Sequence, residues 1–156
     1  MLHIVLYEPE IPHNTGAVGR LALATGARLH LIHPLGFTLD DRKLKRAGLD
    51  YWKDVDLREW ASFDELLQSP EAPRHFHYFT TKTTESYWDA PLAVEETALV
   101  FGPETRGLPE SLLKASPETC WRIPMLDTRS LNLAAAVGIV LYEAVRQSGG
   151  LTAAAS

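Results

Sequence analysis

The sequence has few of the features that mark several specialised classes of protein. Cys120 is the only cysteine in 156 residues, which excludes an internal disulfide and a cysteine-based metal cluster. No apolar run approaches the roughly 20 residues that a membrane-spanning helix needs. The start, MLHIVLYEPE, lacks the basic segment, apolar stretch and cleavage site of a secretory signal. We therefore expect a first strand there and a cytoplasmic protein without a membrane partner.

Positive charge is also scarce, because the formal net charge is -5. Proteins that coat nucleic acid non-specifically usually carry a strongly basic surface, so this balance argues against that class but leaves room for a local basic patch. The best candidate is DDRKLKRAG at 40–48, a predicted short helix whose default role is a solvated surface. Its cations, which could contact phosphates, are Arg42, Lys43, Lys45 and Arg46.

Two familiar nucleotide-binding motifs are absent. The loop FGPETRGLPE at 101–110 is not followed by the Gly-Lys-Ser/Thr of a Walker loop, and the chain has no G-x-G-x-x-G. A nucleoside triphosphate is therefore a poor candidate ligand. The glycines and prolines of this loop instead indicate a rigid turn with close backbone approach, in which Glu104 taken alone would be a solvated carboxylate.

Strand-like and helix-like segments alternate along the chain. This alternation predicts an α/β fold with a mostly parallel sheet and helices on both faces. We expect a single domain over 1–150, followed by a small, polar tail at 151–156 that frays. The predicted strands lie at 2–8, 27–33, 75–81, 96–102 and 119–124, and the predicted helices at 15–25, 40–48, 62–68, 109–115 and 131–147.

The last predicted helix is apolar on nearly all sides. One stripe, which pattern alone assigns to the core, contains Leu131, Ala134, Ala135, Gly138, Ile139, Tyr142 and Val145. The opposite side, with Leu133, Val137, Val140 and Leu141, is also apolar. A helix of this kind needs more cover than its own sheet, so we predict a homodimer, with Ser130 as the cap of the helix.

Two other segments could form a ligand site. In 8–26, Pro9 and Pro12 stiffen a loop, Asn14 or Thr15 can cap a helix, and Arg20 lies beside apolar neighbours. A solvent-facing arginine is the ordinary interpretation, although a guanidinium in such surroundings often has a specific anionic partner. In 123–132, an Ile-Pro-Met stretch beside hydroxyl and amide groups suits a flat ring with a polar rim, such as adenine, but also suits an ordinary loop.

Three segments together resemble the signature motifs of the knotted SPOUT-class RNA methyltransferases. They are NTGAVGR, LVFGPETRGLP and IPMLDTRSLNLAAAVGIVLYEA, and the resemblance extends over nearly the whole chain. The start MLHIVLYEPEIPHNTGAVGRLALATG, the stretch GFTLDDRKLKRAGLDYW and the TTK at 80–82 are similar to a minimal single-domain subfamily. That subfamily methylates the ribose 2'-hydroxyl of the tRNA wobble nucleotide, either cytidine 34 or 5-carboxymethylaminomethyluridine 34.

The resemblance implies a C-terminal trefoil knot, S-adenosylmethionine as the cofactor, no metal, and an active site shared across a homodimer. It implies that Arg20 is catalytic and that the anticodon stem-loop of tRNA is the partner. The cofactor contacts it implies are Phe79, Thr80, Gly102, Glu104, Gly107, Ile123, Met125, Ser130 and Leu131. The RNA contacts are Asn14, Arg42, Lys43, Lys45, Arg46, Asn132 and Tyr142.

Two alternatives remain open at the level of sequence. One is a ribose methyltransferase acting on ribosomal RNA or on another tRNA position. The other is a non-catalytic RNA-binding or ribosome-assembly factor with the same fold.

Overall fold

Six parallel strands form one sheet in the computed structural model, which describes residues 1–47 and 49–151. The strand order across the sheet is β3-β2-β1-β5-β4-β6, and every pair is parallel. All carboxyl ends therefore lie at one edge of the sheet. The strands are β1 (Leu2–Tyr7), β2 (Arg28–Ile32), β3 (Leu57–Trp60), β4 (His75–Phe79), β5 (Thr97–Phe101) and β6 (Cys120–Trp121).

Helices cover both faces of this sheet, which confirms the predicted α/β class. On one face α1 and α5 pack over a cluster that includes Ile4, Leu29 and Leu99, and on the other α3 and α4 pack beside Val5 and Val100. Alternate residues of each strand face opposite sides, so the central strands are buried on both. The helices are α1 (Pro12–Thr25), α2 (Arg42–Ala47), α3 (Phe63–Gln68), α4 (Glu110–Ala115) and α5 (Leu133–Gln147).

One strand was not predicted from the sequence. β3 has only four residues, LREW, and pairs along one side with β2 at the edge of the sheet. Charged side chains at Arg58 and Glu59 hide the strand pattern, because an edge strand can expose such groups to water. The predicted strand at 119–124 is conversely too long, since regular pairing with β4 covers only Cys120 and Trp121.

The predicted faces of α5 were interchanged. The stripe assigned to the core contains the exposed Ala135, Ile139 and Tyr142, although its Val145 is buried. The side thought to need a second subunit faces this chain's own sheet; its buried members are Leu133, Val137, Val140 and Leu141. Both stripes are apolar, so periodicity alone could not distinguish them.

Two predicted helix caps were also wrong. Neither Asn14 nor Thr15 caps α1, because the helix begins at Pro12 and both residues are buried inside it. Ser130 does not cap α5; the Asn132 side chain accepts a hydrogen bond from the Ala135 backbone N–H instead. Gly48 of the predicted helix at 40–48, and residues 152–156 of the predicted tail, lie outside the described residues.

The structure bears on two further expectations. Within 1–47 and 49–151, no helix has the length and hydropathy needed to cross a bilayer. The same ranges contain no group of three or more His, Cys, Asp or Glu side chains placed to hold a metal ion. Cys120 is buried, and burial raises the pKa of its thiol.

Candidate functional site

Three loops at the carboxyl edge of the sheet enclose a cavity of about 560 Å³. They follow β4, β5 and β6, which are neighbours in the sheet although their connections differ in length. The loop after β4 is held to β6 by a 2.9 Å hydrogen bond from the Thr80 N–H to the Trp121 carbonyl. The edge of a parallel sheet where strands end is a common place for a ligand.

Aromatic and aliphatic side chains form part of the cavity wall. The rings of Phe79 and Phe101 stack with centroids 5.1 Å apart and an interplanar angle of 17°. Ile123, Met125 and Leu131 line the same cavity from the loop after β6. The wall therefore offers apolar surface to a flat ring, with backbone and side-chain polar groups close by.

Gly102 permits the tight return of the loop after β5. A Cβ atom added there would lie 2.3 Å from the Leu108 nitrogen and 2.4 Å from the Gly107 carbonyl carbon, both backbone atoms. Gly107 has a φ of +70°, in the left-handed region that favours glycine. This close packing brings the loop backbone to the cavity wall.

Glu104 joins the loop after β5 to the start of α1. Its carboxylate accepts hydrogen bonds of 2.9 Å from the backbone N–H groups of Glu10 and Ile11, and one of 3.3 Å from the Asn14 amide. The negative charge lies at a helix N-terminus, where unpaired N–H groups favour an anion. Glu104 therefore holds the segment that leads into α1 from a different loop.

Glu10 makes the reciprocal connection. Its carboxylate accepts hydrogen bonds from the Thr105 backbone N–H at 2.8 Å and from the Thr105 hydroxyl at 2.7 Å. These bonds hold the pKa of the Glu10 carboxyl below its usual value. The Glu10 and Glu104 carboxylates each accept hydrogen bonds from the other's segment, and together they fix one side of the cavity.

Asparagine side chains extend this network to the third loop. The Asn132 amide donates to the Asn14 side-chain oxygen at 3.0 Å, while its own oxygen caps α5. Hydrogen bonds thus connect the beginnings of α1 and α5 through Asn14, Asn132 and Glu104. The three loops form one connected structure rather than three independent segments.

The SpoU rRNA Methylase family model matches residues 1–142 of this chain. The chain belongs to that family. A tRNA (cytidine(34)-2'-O)-methyltransferase of Escherichia coli is 50% identical over 151 residues, covering 96% of this chain and 95% of that protein. This member of the family therefore has a full-length relative whose name specifies both the RNA and the atom that is methylated.

Solved structures of the family agree with the fold. A structure concerned with 2-OH methylation of C/U34 on tRNA is 52% identical, with a TM-score of 0.87, and the match covers 94% of this chain and 95% of that chain. The SpoU methyltransferase AviRb from Streptomyces viridochromogenes, in complex with the cofactor AdoMet, is 28% identical with a TM-score of 0.81. That match covers 94% of this chain and 60% of AviRb.

The cavity brings together all nine residues that the sequence predicted as cofactor contacts: Phe79, Thr80, Gly102, Glu104, Gly107, Ile123, Met125, Ser130 and Leu131. Asn14 and Asn132, predicted as RNA contacts, also line it. Their roles as ligand contacts stay predictions. For Glu104 and Asn132, the structure adds hydrogen bonds within the protein that account for much of their polar capacity.

The other predicted site residues lie outside this cavity. Arg20 is exposed on α1, with its guanidinium carbon 5.7 Å from the centroid of the Tyr51 ring. Tyr142 is 44% exposed on α5. The four cations Arg42, Lys43, Lys45 and Arg46 are exposed on α2, which packs against α1. A single chain therefore does not place the predicted catalytic arginine among the predicted cofactor contacts.

Three cations that line the cavity were not singled out from the sequence: Lys82, Arg106 and Arg129. Arg106 pairs with Glu8 at 3.2 Å. Each of the three lies within one of the loops that follow β4, β5 and β6. The signal available in the sequence was that each cation lies in a segment that follows a predicted strand. In a parallel sheet, all such segments start at the same edge.

Proposed function

We propose that this chain transfers a methyl group from S-adenosylmethionine to the ribose 2'-hydroxyl of nucleotide 34 in tRNA. The E. coli relative, identical at half of the aligned positions over nearly the full length of both chains, supports cytidine 34 as a substrate. The resemblance of the motifs extends the proposal to 5-carboxymethylaminomethyluridine 34. The observation that carries the proposal is the single cavity in which all nine predicted cofactor residues meet.

The chemistry of the cavity fits the proposed cofactor. Its apolar wall at Phe79, Phe101 and Ile123 suits the adenine ring, and the tight loop after Gly102 places backbone polar groups beside that wall. We assign binding to the nine residues at the cavity, mainly through backbone groups and apolar surface. Bound there, S-adenosylmethionine supplies an electrophilic methyl group activated by a sulfonium.

Arg20 is the residue we assign to the reacting ribose. A 2'-hydroxyl becomes a good nucleophile when its proton leaves or its developing negative charge is stabilised. Guanidinium keeps its proton above pH 12, so Arg20 suits the electrostatic role better than that of a base. The proton of the 2'-hydroxyl would be released to solvent, while Arg20 stabilises the negative charge that develops on the oxygen.

The position of Arg20 supports an active site shared between two copies of the chain. Arg20 lies outside the cavity of its own chain, on the exposed side of α1. On α5, which packs against α1, the residues Ala135, Ile139 and Tyr142 are exposed and form an apolar face suited to a second copy. We propose a homodimer in which the Arg20 of one chain serves the cavity of the other.

The proposed fold is a single domain over 1–150 with a trefoil knot, acting in the cytoplasm. Support for the knot comes from the family resemblance and from the path after β6. This strand lies at the outer edge beside β4, yet α5 returns to pack against α1 and β5. The anticodon stem-loop would contact Asn14, Asn132, Tyr142 and the four cations of α2.

The proposed reaction is tested by methyl transfer to a synthetic tRNA anticodon stem-loop. We expect labelled methyl to appear on nucleotide 34, and no transfer when that nucleotide carries a 2'-deoxyribose. Mass spectrometry of tRNA from cells lacking the gene should show loss of the 2'-O-methyl group at that position. Transfer to a ribosomal RNA fragment or another tRNA position, or cofactor binding without transfer, would contradict the proposal.

Arg20→Ala should abolish methyl transfer while the affinity for S-adenosylmethionine stays within several-fold of the unchanged protein. Mixing this variant with Gly102→Ala, at a concentration of S-adenosylmethionine too low to load the weakened cavity, tests whether the site is shared. If Arg20 acts on the partner's cavity, random exchange restores about a quarter of the activity, because half of the dimers regain one complete site. If Arg20 acts within its own chain, the mixture stays inactive.

A further inference from the structure

A second groove lies directly beside the cofactor cavity. It measures about 320 Å³, which is within the range of small-ligand pockets. Thr80 and Lys82 line both spaces, so the groove adjoins the cavity. The groove is otherwise bounded by α4 and by the short segment that leads from α4 to β6, including Leu113, Lys114 and Pro117.

The groove carries the chemistry of a site for a phosphorylated group. Two cations, Lys82 and Lys114, line it in a chain whose net charge is -5. Hydroxyl groups at Thr80 and Thr83 add hydrogen-bond donors, and Leu113 and Pro117 add apolar surface. A nucleotide presents a matching combination of an anionic phosphate and a flat base.

The Lys82 segment is held in place by its own hydrogen bonds. The Lys82 backbone N–H donates to the Thr80 hydroxyl at 3.1 Å, and the Arg122 guanidinium donates to the Thr81 carbonyl. One hydrogen bond therefore lies within the segment, and the other joins the segment to Arg122, the residue after β6. Lys82, which lines both the cavity and the groove, therefore extends from a backbone that is held by hydrogen bonds.

Among the residues that the structure describes, Glu110 is the one carboxylate on the groove wall. Its oxygen lies 3.9 Å from the Lys82 ammonium, at the limit of an ion pair, and the two side chains are 68% and 45% exposed. Such an exposed pair contributes little and leaves the lysine able to bind an anion. Lys114 makes no ion pair within the described part of the chain.

We propose that this groove binds the phosphate of a tRNA nucleotide adjacent to the nucleotide that is methylated, with Lys82 and Lys114 as the cation pair. The inference rests on the proposed function, since it assigns the RNA strand a path away from the reacting ribose. A strand that leaves the cofactor cavity past Thr80 enters the groove directly. Leu113 and Pro117 then contact the base of the adjacent nucleotide.

The inference is tested by measuring binding of a synthetic anticodon stem-loop at several salt concentrations. Lys114→Ala should raise the Kd about three- to tenfold and reduce the slope of log K against log salt by about 0.7, the value for one single-strand phosphate contact. Lys114→Arg keeps the charge and should bind nearly as the unchanged protein does. Glu110→Gln removes the opposing carboxylate and should bind more tightly.

Arg74→Ala is the matched control. Arg74 is exposed just before β4, about 20 Å along the strand from Thr80, so the same charge is removed at the opposite edge of the sheet. Its Kd and salt slope should not change. Calorimetry with S-adenosylmethionine should give the same affinity for Lys114→Ala as for the unchanged protein.

Two failures can be distinguished. If the unchanged protein methylates nucleotide 34 but Lys114→Ala keeps its Kd and salt slope, the groove assignment is wrong and the proposed function stands. If the unchanged protein binds S-adenosylmethionine but neither binds nor methylates the stem-loop, the proposed function fails and the groove assignment fails with it. Lys82→Ala is a second variant, which should weaken stem-loop binding even where its place in the cavity also alters cofactor affinity.

Discussion

At the scale of single residues, Gly102 shows why a glycine is required at one point of the cavity wall. The sequence indicated close backbone approach in this loop, and the structure identifies the atoms involved. A Cβ at this position would overlap backbone atoms of Gly107 and Leu108, which cannot move aside as the end of a flexible side chain can. The requirement is therefore steric and local to the cavity.

Gly102→Ala should lower the affinity for S-adenosylmethionine at least tenfold, because the loop must shift to accept the methyl group. Isothermal titration calorimetry would measure this loss. Gly26→Ala provides a control: its φ is +75°, but no atom lies within 4 Å of the added Cβ. That variant should lose about 1 kcal/mol of stability from backbone strain and keep its cofactor affinity. Equal affinities for the two variants would contradict the steric assignment.

A series of hydrogen-bonded polar side chains links β3, β2 and β1 to Glu96, the residue before β5. The Trp60 indole N–H donates to His30 Nδ1 at 2.9 Å, so His30 must carry its proton on Nε2 and donate it to His3 Nδ1, also at 2.9 Å. His3 Nε2 then donates to Glu96. Every bond is satisfied with both histidines neutral. Burial lowers the pKa of His30 to about 3, and it also lowers the pKa of His3.

The buried histidines of this series predict that the protein loses stability in mild acid. The unfolded chain takes up protons on these histidines below pH 6.5, whereas folded His30 resists protonation down to about pH 3. Stability is therefore fully present above pH 6.5 and falls as the pH drops, by about 1 kcal/mol per pH unit for each histidine that stays neutral. Urea unfolding between pH 5 and 8 measures the slope.

His30→Gln should be less stable at pH 7.5 but have a shallower pH dependence. His13→Gln changes an exposed histidine and should retain the slope of the unchanged protein. If the unfolding free energy of His30→Gln depends on pH as steeply as that of the unchanged protein, the buried histidines do not control the loss of stability in acid.

At the scale of elements, the beginnings of α1 and α5 are set by contacts that the local sequence does not specify. The two residues before α1, Glu10 and Ile11, are held by Glu104, which is more than 90 residues away along the chain. For α5, both Ser130 and Asn132 are ordinary capping residues, and the structure selects Asn132. Its amide also bonds to Asn14, so the same side chain caps one helix and contacts the other.

The choice of cap gives a direct prediction. Asn132→Ala should destabilise the protein by about 1 kcal/mol, because the Ala135 N–H and the Asn14 side chain each lose a partner. Ser130→Ala should have no measurable effect on stability, since the Ser130 side chain is exposed and does not cap the helix. Denaturant midpoints at one fixed protein concentration would compare them. A larger loss for Ser130→Ala would contradict the assigned cap.

At the scale of the whole molecule, the proposed dimer joins two half-sites. The cavity and the predicted catalytic arginine are separate in one chain, and an apolar surface on α5 lies exposed. A symmetric association would bury that surface and could supply Arg20 in the same step. Dimer formation and activity should therefore be lost together.

Ile139→Glu tests this coupling, because a charge in the centre of the apolar face opposes its burial. We expect a monomer in sedimentation velocity at micromolar concentration, with no methyl transfer. Leu67→Glu is a matched control on α3, where the leucine is 43% exposed compared with 39% for Ile139. It should remain dimeric and active. Sedimentation of the unchanged protein as a monomer would refute the dimer itself.

The sequence alone determined the layers of this protein and the segments that form its site. Alternating buried strands and helices follow from local composition and periodicity, so the α/β class and most element positions were predictable. The residues of the cavity were named by the resemblance of the motifs to a known family; they lie at the ends of β4, β5 and β6, and parallel strands end at the same edge. Short elements such as β3 were not predicted, because four residues are too few to show a clear periodic pattern.

Only the tertiary structure decided which surfaces and polar groups meet. Both stripes of α5 are apolar, so the buried one became known only from packing against the sheet. The exchange of carboxylates between Glu10 and Glu104, and the second groove beside Lys82, depend on residues far apart along the chain. Local sequence cannot specify such partners, because many side chains of the same chemistry are available and the fold brings only some of them together.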